Sequence, residues 1–152
     1  MLRPVRNFRK RYPDVPGGYV ADIVEKVREI FPEGRIRDYE CPPGQPDPGD
    51  AHVHGAAVAG GADILLTSNV ADFIGTGRDP DELPYEIYTP DEFLMLVWQS
   101  QPEIVQSVYA QMEEYRVSRE GNYSLAERLK HAGAGDFARV VATLSVNGER
   151  RR

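Results

Sequence analysis

Two aspartates near the middle of the chain stand where parallel α/β proteins usually bind their ligands. Asp50 immediately precedes an alanine-rich stretch, residues 51–59, which has the composition of a helix. Asp72 follows the apolar residues 64–66, which have the pattern of a short, buried parallel strand. Ligands of open parallel sheets bind beyond the carboxyl ends of the strands, and hard divalent cations prefer carboxylate oxygens. Asp50 and Asp72 therefore predict a site for Mg²⁺ or Mn²⁺.

Thr67 and Asn69 lie between the strand and Asp72, and we expect their polar side chains to support the same site. A divalent cation held there would suit hydrolysis of a phosphodiester, because the ion activates water and offsets charge on the leaving oxygen. Each aspartate also has an ordinary structural role open to it. Asp50 is a good helix N-cap, and Asp72 is a common kind of Asx-turn residue.

The two histidines that follow Asp50 offer a different metal site. His52 and His54 form a His-x-His pair similar to the zinc motif of amidohydrolases, in which both imidazoles share one face of a strand. Three observations weigh against this interpretation. A proline-rich loop precedes the pair where the motif needs an apolar strand, and a complete barrel takes about 250 residues. On a helix, moreover, positions two apart point in different directions.

Composition narrows the function classes. The chain has 152 residues, which is one domain by length, and a formal net charge of −6, which argues against coating nucleic acid by bulk charge. The single cysteine, Cys41, excludes an intrachain disulfide and fits a reducing cytoplasm, and we expect it to be a small structural residue. Without a long apolar run or an apolar leader, we expect a cytoplasmic protein with no membrane partner. Phe93 and Trp98 lie at helical spacing, and we expect their side chains to pack in the apolar core.

A basic segment opens the chain. Its cations are a candidate contact surface for RNA, although such runs are more often the solvated face of a helix. The candidate RNA-binding residues are Arg6, Arg9 and Lys10.

The first ninety residues alternate between helix and strand patterns. Apolar residues recur at helical spacing from Tyr19 to Phe31, and Pro32 stops the pattern. Strands are predicted over residues 35–39, over the apolar triplet at 64–66 and at residues 86–88. This order favours a parallel sheet covered by helices.

The last third of the chain is predicted to be helical. Capping sequences of the form Ser/Thr-x-x-Glu begin at Thr89, Ser100 and Ser124. They predict helices over about residues 90–99, 102–116 and 125–132, with a final helix over about 136–145. We therefore divide the chain into an α/β part, residues 1–90, and a helical part, residues 91–152.

The order of several short motifs resembles a known family. The chain has Asp-x-His at 50–52, Gly-Ala-Asp at 61–63, Thr-x-Asn-x-x-Asp-Phe at 67–73 and Pro-Asp-Glu-Phe-Leu at 90–94. This series resembles the PIN domain, and most of all the VapC-type toxins of type II toxin–antitoxin pairs. Residues 5–10 are similar to a helix of one PIN subgroup. Residues 124–129, 132–133 and 136–138 are similar to that subgroup's helical C-terminal extension.

The resemblance implies a fold, an activity and partners. The fold is a PIN-like three-layer α/β/α domain with a short parallel sheet in residues 1–90, followed by the last PIN helix and a helical extension. The activity is that of a Mg²⁺- or Mn²⁺-dependent endoribonuclease, with Asp50 and Asp72 as the catalytic, metal-holding acids and Thr67 and Asn69 as supports. The partners are an RNA substrate and a cognate antitoxin protein, with a homodimer as a further expectation.

The chain departs from the family's pattern at its N-terminus. The family's first strand, which ends in an acid, would lie upstream of Met1, and Arg3 stands where an acid of the next helix is expected. Two of about four acids are then missing, which weakens binding of a cation that relies on anionic oxygens. We expect an N-terminally truncated protein with weak or no nuclease activity, which a longer chain would restore. The alternative is a catalytically dead PIN remnant that binds an antitoxin or RNA.

Overall fold

A computed structural model describes residues 17–41, 47, 49–75, 79–118 and 124–149. The basic residues Arg3, Arg6, Arg9 and Lys10 lie outside these ranges. The chain divides into two compact units, Met1–Glu40 and Cys41–Arg152. The functional division at residue 90 stays a prediction.

The described part of the first unit contains one helix, α1 (Gly17–Ile30). It covers the predicted apolar pattern except for Phe31, and it ends two residues before Pro32, which cannot continue a helix. The apolar side chains Ile23, Val27 and Ile30 lie on the surface, exposed by 42, 52 and 68 %. The strand predicted over residues 35–39 is wrong: these residues form no strand and most of them are exposed. With charged side chains at Arg35, Arg37 and Asp38, this segment offers little apolar surface to pack a strand on a core.

The second unit contains a short parallel sheet. Strand β1 (Ile64–Leu66) pairs in parallel with β2 (Glu86–Tyr88), with Leu65 opposite Ile87. The predictions of a parallel strand at 64–66 and a strand at 86–88 are confirmed. The expectation that β1 is buried is wrong, because Ile64 and Leu66 are 36 and 47 % exposed. Side chains alternate between the faces of a strand, and only the face that carries Leu65 is half-buried.

The segments around the sheet are two helices and a 3-10 turn. Helix α2 (Ala51–Ala59) precedes β1, α3 (Ala71–Ile74) follows it, and the 3-10 turn Pro80–Glu82 leads to β2. The end of α2 is set by Gly61, whose φ of 59° allows a Schellman turn in which the Ala62 N–H donates to the Ala57 carbonyl at 2.9 Å.

Four further helices follow in the described part of the second unit: α4 (Pro90–Ser100), α5 (Pro102–Ser118), α6 (Leu125–His131) and α7 (Gly135–Glu149). Two predicted caps are confirmed: Thr89 forms a reciprocal capping box with Glu92, and the Ser124 hydroxyl accepts from the Glu127 N–H. The predicted cap at Ser100 is wrong, since Ser100 is the last residue of α4 and α5 begins two residues later.

The main apolar core lies among these four helices. Val105, Phe137 and Val141 are buried at its centre. Trp98 packs against this cluster, as its spacing predicted. Asp91 of α4 also accepts the Asp136 and Phe137 N–H groups at the start of α7, at 3.0 and 2.9 Å. The two helices are therefore joined by apolar packing and by an ionic cap.

The described residues are thus rich in helix and contain a two-stranded parallel sheet, which is an α/β composition. No helix within the described ranges is both long enough and apolar enough to cross a lipid bilayer.

Candidate metal site at the carboxyl end of β1

The first side of the site is a tight turn before α2. The Asp50 N–H donates to the Asp47 carbonyl at 3.1 Å, and the Gly49 N–H donates to the Asp47 side-chain Oδ1 at 2.6 Å. A Cβ atom on Gly49 would lie 2.9 Å from that same carboxylate oxygen. The absence of a side chain at Gly49 therefore gives the Asp47 carboxylate its place in the turn.

Asp50 occupies the N-cap position of α2 without performing a cap's usual function. Its backbone carbonyl accepts from the Val53 and His54 N–H groups at 2.9 and 3.2 Å, as in an ordinary helix start. Its carboxylate makes no capping hydrogen bond. Helix capping therefore does not explain the carboxylate of Asp50, and the side chain is left to face the other acids.

The second side of the site follows the carboxyl end of β1. The Asn69 N–H donates to the Thr67 hydroxyl at 3.0 Å, and the Asn69 side-chain amide donates to the Asp72 carboxylate. The Ile74 N–H, which an Asx turn at Asp72 would use, donates instead to the Val70 carbonyl. Thr67 and Asn69 thus form a relay that orients Asp72, and their role in supporting a metal site stays a prediction.

The two sides meet in a cluster of three carboxylates. One carboxylate oxygen from each of Asp47, Asp50 and Asp72 lies within 4.8 Å of the others, and all three residues are half-buried. The structure therefore brings together Asp50 and Asp72, as the sequence indicated, and adds Asp47. The sequence signal for Asp47 was the Asp-Pro-Gly-Asp run at 47–50, whose turn residues place two acids side by side.

Three carboxylates this close repel one another. A pair of unit charges about 4 Å apart costs about 1 kcal/mol in bulk water and more at lower effective dielectric. A divalent cation removes that repulsion, and its ligand distances of about 2.0–2.6 Å suit oxygens of this spacing, directly or through one water. The donor set is all oxygen and anionic, which fits Mg²⁺ or Mn²⁺ better than softer metals.

The histidines do not converge on a shared metal. The His52 Nδ1 lies 2.8 Å from the Gly49 carbonyl, whereas His54 is buried with its Nδ1 2.6 Å from the Tyr85 hydroxyl. Both lie on α2, where positions two apart diverge. Within the described residues, the cluster that can hold a metal contains neither histidine. This geometry does not favour the His-x-His zinc interpretation.

The end of β2 lies beside the relay. The Thr67 N–H donates to the Tyr88 carbonyl at 3.0 Å, which extends the pairing of the strands by one residue. The Tyr88 hydroxyl donates to Glu86 at 2.6 Å, and this hydrogen bond together with the charge of Glu86 raises the pKa of Tyr88. Tyr88 is therefore a neutral hydrogen-bonding group at neutral pH.

The remaining candidate residues are Cys41 and three basic residues near the start of the chain. Cys41 is an exposed free thiol and does not occupy the small structural site expected of it. Arg6, Arg9 and Lys10 lie outside the described residues, so their contact with RNA stays a prediction.

Comparison with known proteins gives no relative. No protein-family model, curated protein or solved structure matches the chain. The case for a function therefore rests on the side chains described above.

Proposed function

We propose that this chain is a PIN-like, metal-dependent endoribonuclease of the VapC toxin type. The observation that carries the proposal is the cluster of Asp47, Asp50 and Asp72, whose carboxylate oxygens lie within 4.8 Å of one another. Its position at the carboxyl end of a parallel strand is where α/β proteins bind ligands. The three-layer PIN-like arrangement is part of the proposal, and the short parallel sheet with flanking helices is compatible with it.

Each side chain has a role in this proposal. Asp50 and Asp72 are the acids that hold Mg²⁺ or Mn²⁺, and Asp47 supplies a third anionic oxygen. Asn69 fixes the orientation of the Asp72 carboxylate, and Thr67 fixes Asn69. When bound, the ion supplies Lewis-acid activation of water and of the phosphodiester. Arg6, Arg9 and Lys10 are the proposed contacts for the RNA backbone, since cations near phosphates supply most sequence-independent affinity.

The activity should be slow, because the cluster falls short of the four acids of the family's pattern. Asp47 lies outside that pattern and partly offsets the loss, so we expect measurable cleavage where two acids alone predicted weak or no activity.

The test is cleavage of single-stranded RNA by the purified chain. We expect slow cleavage in Mg²⁺ or Mn²⁺ that EDTA abolishes and that is lost in Asp50→Asn and Asp72→Asn. Asp63→Asn is the matched control, because Asp63 precedes the amino end of β1 and lies outside the cluster. Cleavage that survives EDTA or both cluster substitutions, or no cleavage at saturating Mn²⁺, would refute the proposal.

A second candidate function is that of a protein-binding module. The observation that favours it is a stripe on α5, where Ile104, Val108 and Met112 are 55, 48 and 47 % exposed at intervals of four residues. Apolar side chains at this spacing fit a helix-in-groove contact with an antitoxin polypeptide. Co-purification with an adjacently encoded antitoxin, lost in Val108→Glu, would support it. Concentration-dependent self-association lost in the same variant would instead assign the stripe to a homodimer.

A further inference from the structure

A buried histidine–tyrosine pair begins one helical turn after Asp50. His54 and Tyr85 are only 8 and 5 % exposed. The His54 Nδ1 lies 2.6 Å from the Tyr85 hydroxyl oxygen, and the two rings are tilted by 59° with centroids 5.6 Å apart. Among the described residues, apart from Tyr85, no other polar or charged residue is as deeply buried as His54. A polar contact buried to this degree is directional and costly to leave unmade.

We propose that the His54–Tyr85 pair is a positioning device that holds Asp50 opposite Asp72. The inference rests on the proposed function for the identity of the bound ion, and it concerns what sets the geometry of the cluster. Neither residue belongs to the family motifs of the sequence, and neither supplies a ligand.

The pair fixes the placement of α2. The other buried residues of this helix are Gly55 and Ala57, whose small surfaces allow a helix to slide and rotate. His54 is the one buried side chain of α2 that can make a directional bond. Its hydrogen bond to Tyr85 therefore sets the rotation of the helix about its axis.

On one side, the pair acts on Asp50 through a single helical turn. The His54 N–H donates to the Asp50 carbonyl at 3.2 Å, so the ring that contacts Tyr85 and the acid that enters the cluster lie on the same turn. A rotation of α2 that broke the His54 contact would carry Asp50 away from Asp72.

On the other side, the pair connects to Asp72 through the sheet. Tyr85 immediately precedes β2, which pairs with β1. The Tyr88 carbonyl accepts the Thr67 N–H at the end of β1, and the Thr67–Asn69 relay then leads to Asp72. Hydrogen bonds and strand pairing therefore link the Tyr85 hydroxyl to both acids.

The experiment compares Tyr85→Phe with the unchanged chain by two readouts. Tyr85→Phe removes one oxygen and keeps the ring, so the packing around it is preserved. We expect the affinity for Mn²⁺ to fall about tenfold, as is usual when a group that orients metal ligands is lost. We also expect faster hydrogen exchange at the Val53 and His54 amides, which donate to Asp50.

Two further variants separate positioning from general stability. His54→Asn places an amide near the position of Nδ1, so the hydrogen bond to Tyr85 is kept. Its Mn²⁺ affinity should stay within about threefold of that of the unchanged chain, above that of Tyr85→Phe. Tyr109→Phe is the matched control, because it removes a phenol that bonds to Ser145 at 2.7 Å within the helical core. It should leave both readouts unchanged.

The outcomes distinguish this inference from the proposed function. If the unchanged chain binds no Mn²⁺, the proposed function fails, and the exchange rates alone decide whether the pair holds the start of α2. If Tyr85→Phe leaves both Mn²⁺ affinity and the Val53 and His54 exchange rates unchanged, the positioning role is wrong. An equal effect from Tyr109→Phe would also overturn it.

Discussion

Replacing Asp91 with alanine should weaken the packing of α4 on α7 by removing a cap that one helix provides for another. Both carboxylate oxygens of Asp91 accept backbone N–H groups at the start of α7, at 2.9 and 3.0 Å. Substitution of a helix cap costs about 0.5–2 kcal/mol, and hydrogen bonds to a charged group contribute about 1.5–3 kcal/mol. Since Asp91 is only half-buried, we expect a loss of about 2 kcal/mol.

Thermal unfolding followed by circular dichroism measures this effect. For a chain of 152 residues, about 2 kcal/mol corresponds to a fall in Tm of about 4–8 °C. Asp136→Asn is the control. It removes a carboxylate from the same helix start, but that carboxylate is paired with Arg139 on the surface. Such a pair contributes about 0–1 kcal/mol. If the two variants lower Tm equally, or Asp91→Ala has no effect, the cap between the helices does not stabilise the fold.

Further predictions concern the Thr89 cap and the turn at Gly49. Thr89→Ala should cost about 1 kcal/mol of unfolding free energy, measured by denaturant titration, because the Thr89 hydroxyl accepts from the Glu92 N–H. Hydrogen bonds from Thr89 lower the pKa of Glu92 in the folded chain. The stability that the ionised Glu92 carboxylate gives the fold is therefore complete above the ordinary pKa of 4.5 and is lost as pH falls through the folded pKa. Glu92→Gln should therefore reduce the acid-induced loss of stability below pH 4.5, and an unchanged acid slope would refute this cause. Gly49→Ala should push the Asp47 carboxylate aside and lower the affinity for Mn²⁺ about tenfold, with little change in the free energy of unfolding. An unchanged affinity would show that Asp47 is not a ligand of the ion.

Local chemistry explains which parts of the fold the sequence predicted well. The capping box at Thr89 and the cap at Ser124 depend on contacts within a few residues, and the helices that begin there were predicted to within a few residues. The Ser100 cap failed for an equally local reason. Helix α4 ends one residue later than predicted and includes Ser100, which therefore cannot cap the next helix.

Features that depend on distant contacts were predicted less well. The strand pattern of residues 64–66 indicated burial, but exposure depends on which elements cover the sheet, and the sequence of the strand carries no such information. The segment at 35–39 has strand-like residues, but among the residues that the structure describes no strand pairs with it. Spacing alone likewise gave no sign that His54 would bond to Tyr85, which lies 31 residues away.

The acidic cluster combines both kinds of information. Asp50 and Asp72 were predicted from their places before a helix and after a strand, and the structure brings their carboxylates within 4.8 Å of each other. Asp47 was missed because its importance depends on the turn that Gly49 permits. Whether the three acids bind an ion and cleave RNA stays a prediction.

Titration of the purified chain with Mn²⁺, followed by the loss of the free ion's electron paramagnetic resonance signal, tests the central claim most directly. We predict one Mn²⁺ bound per chain, displaced by Mg²⁺, with binding lost in Asp50→Asn and in Asp72→Asn. Asp63→Asn, outside the cluster, should bind as the unchanged chain does. Binding that persists undiminished in both cluster variants, or a chain that binds no Mn²⁺, would contradict a metal site built from Asp47, Asp50 and Asp72.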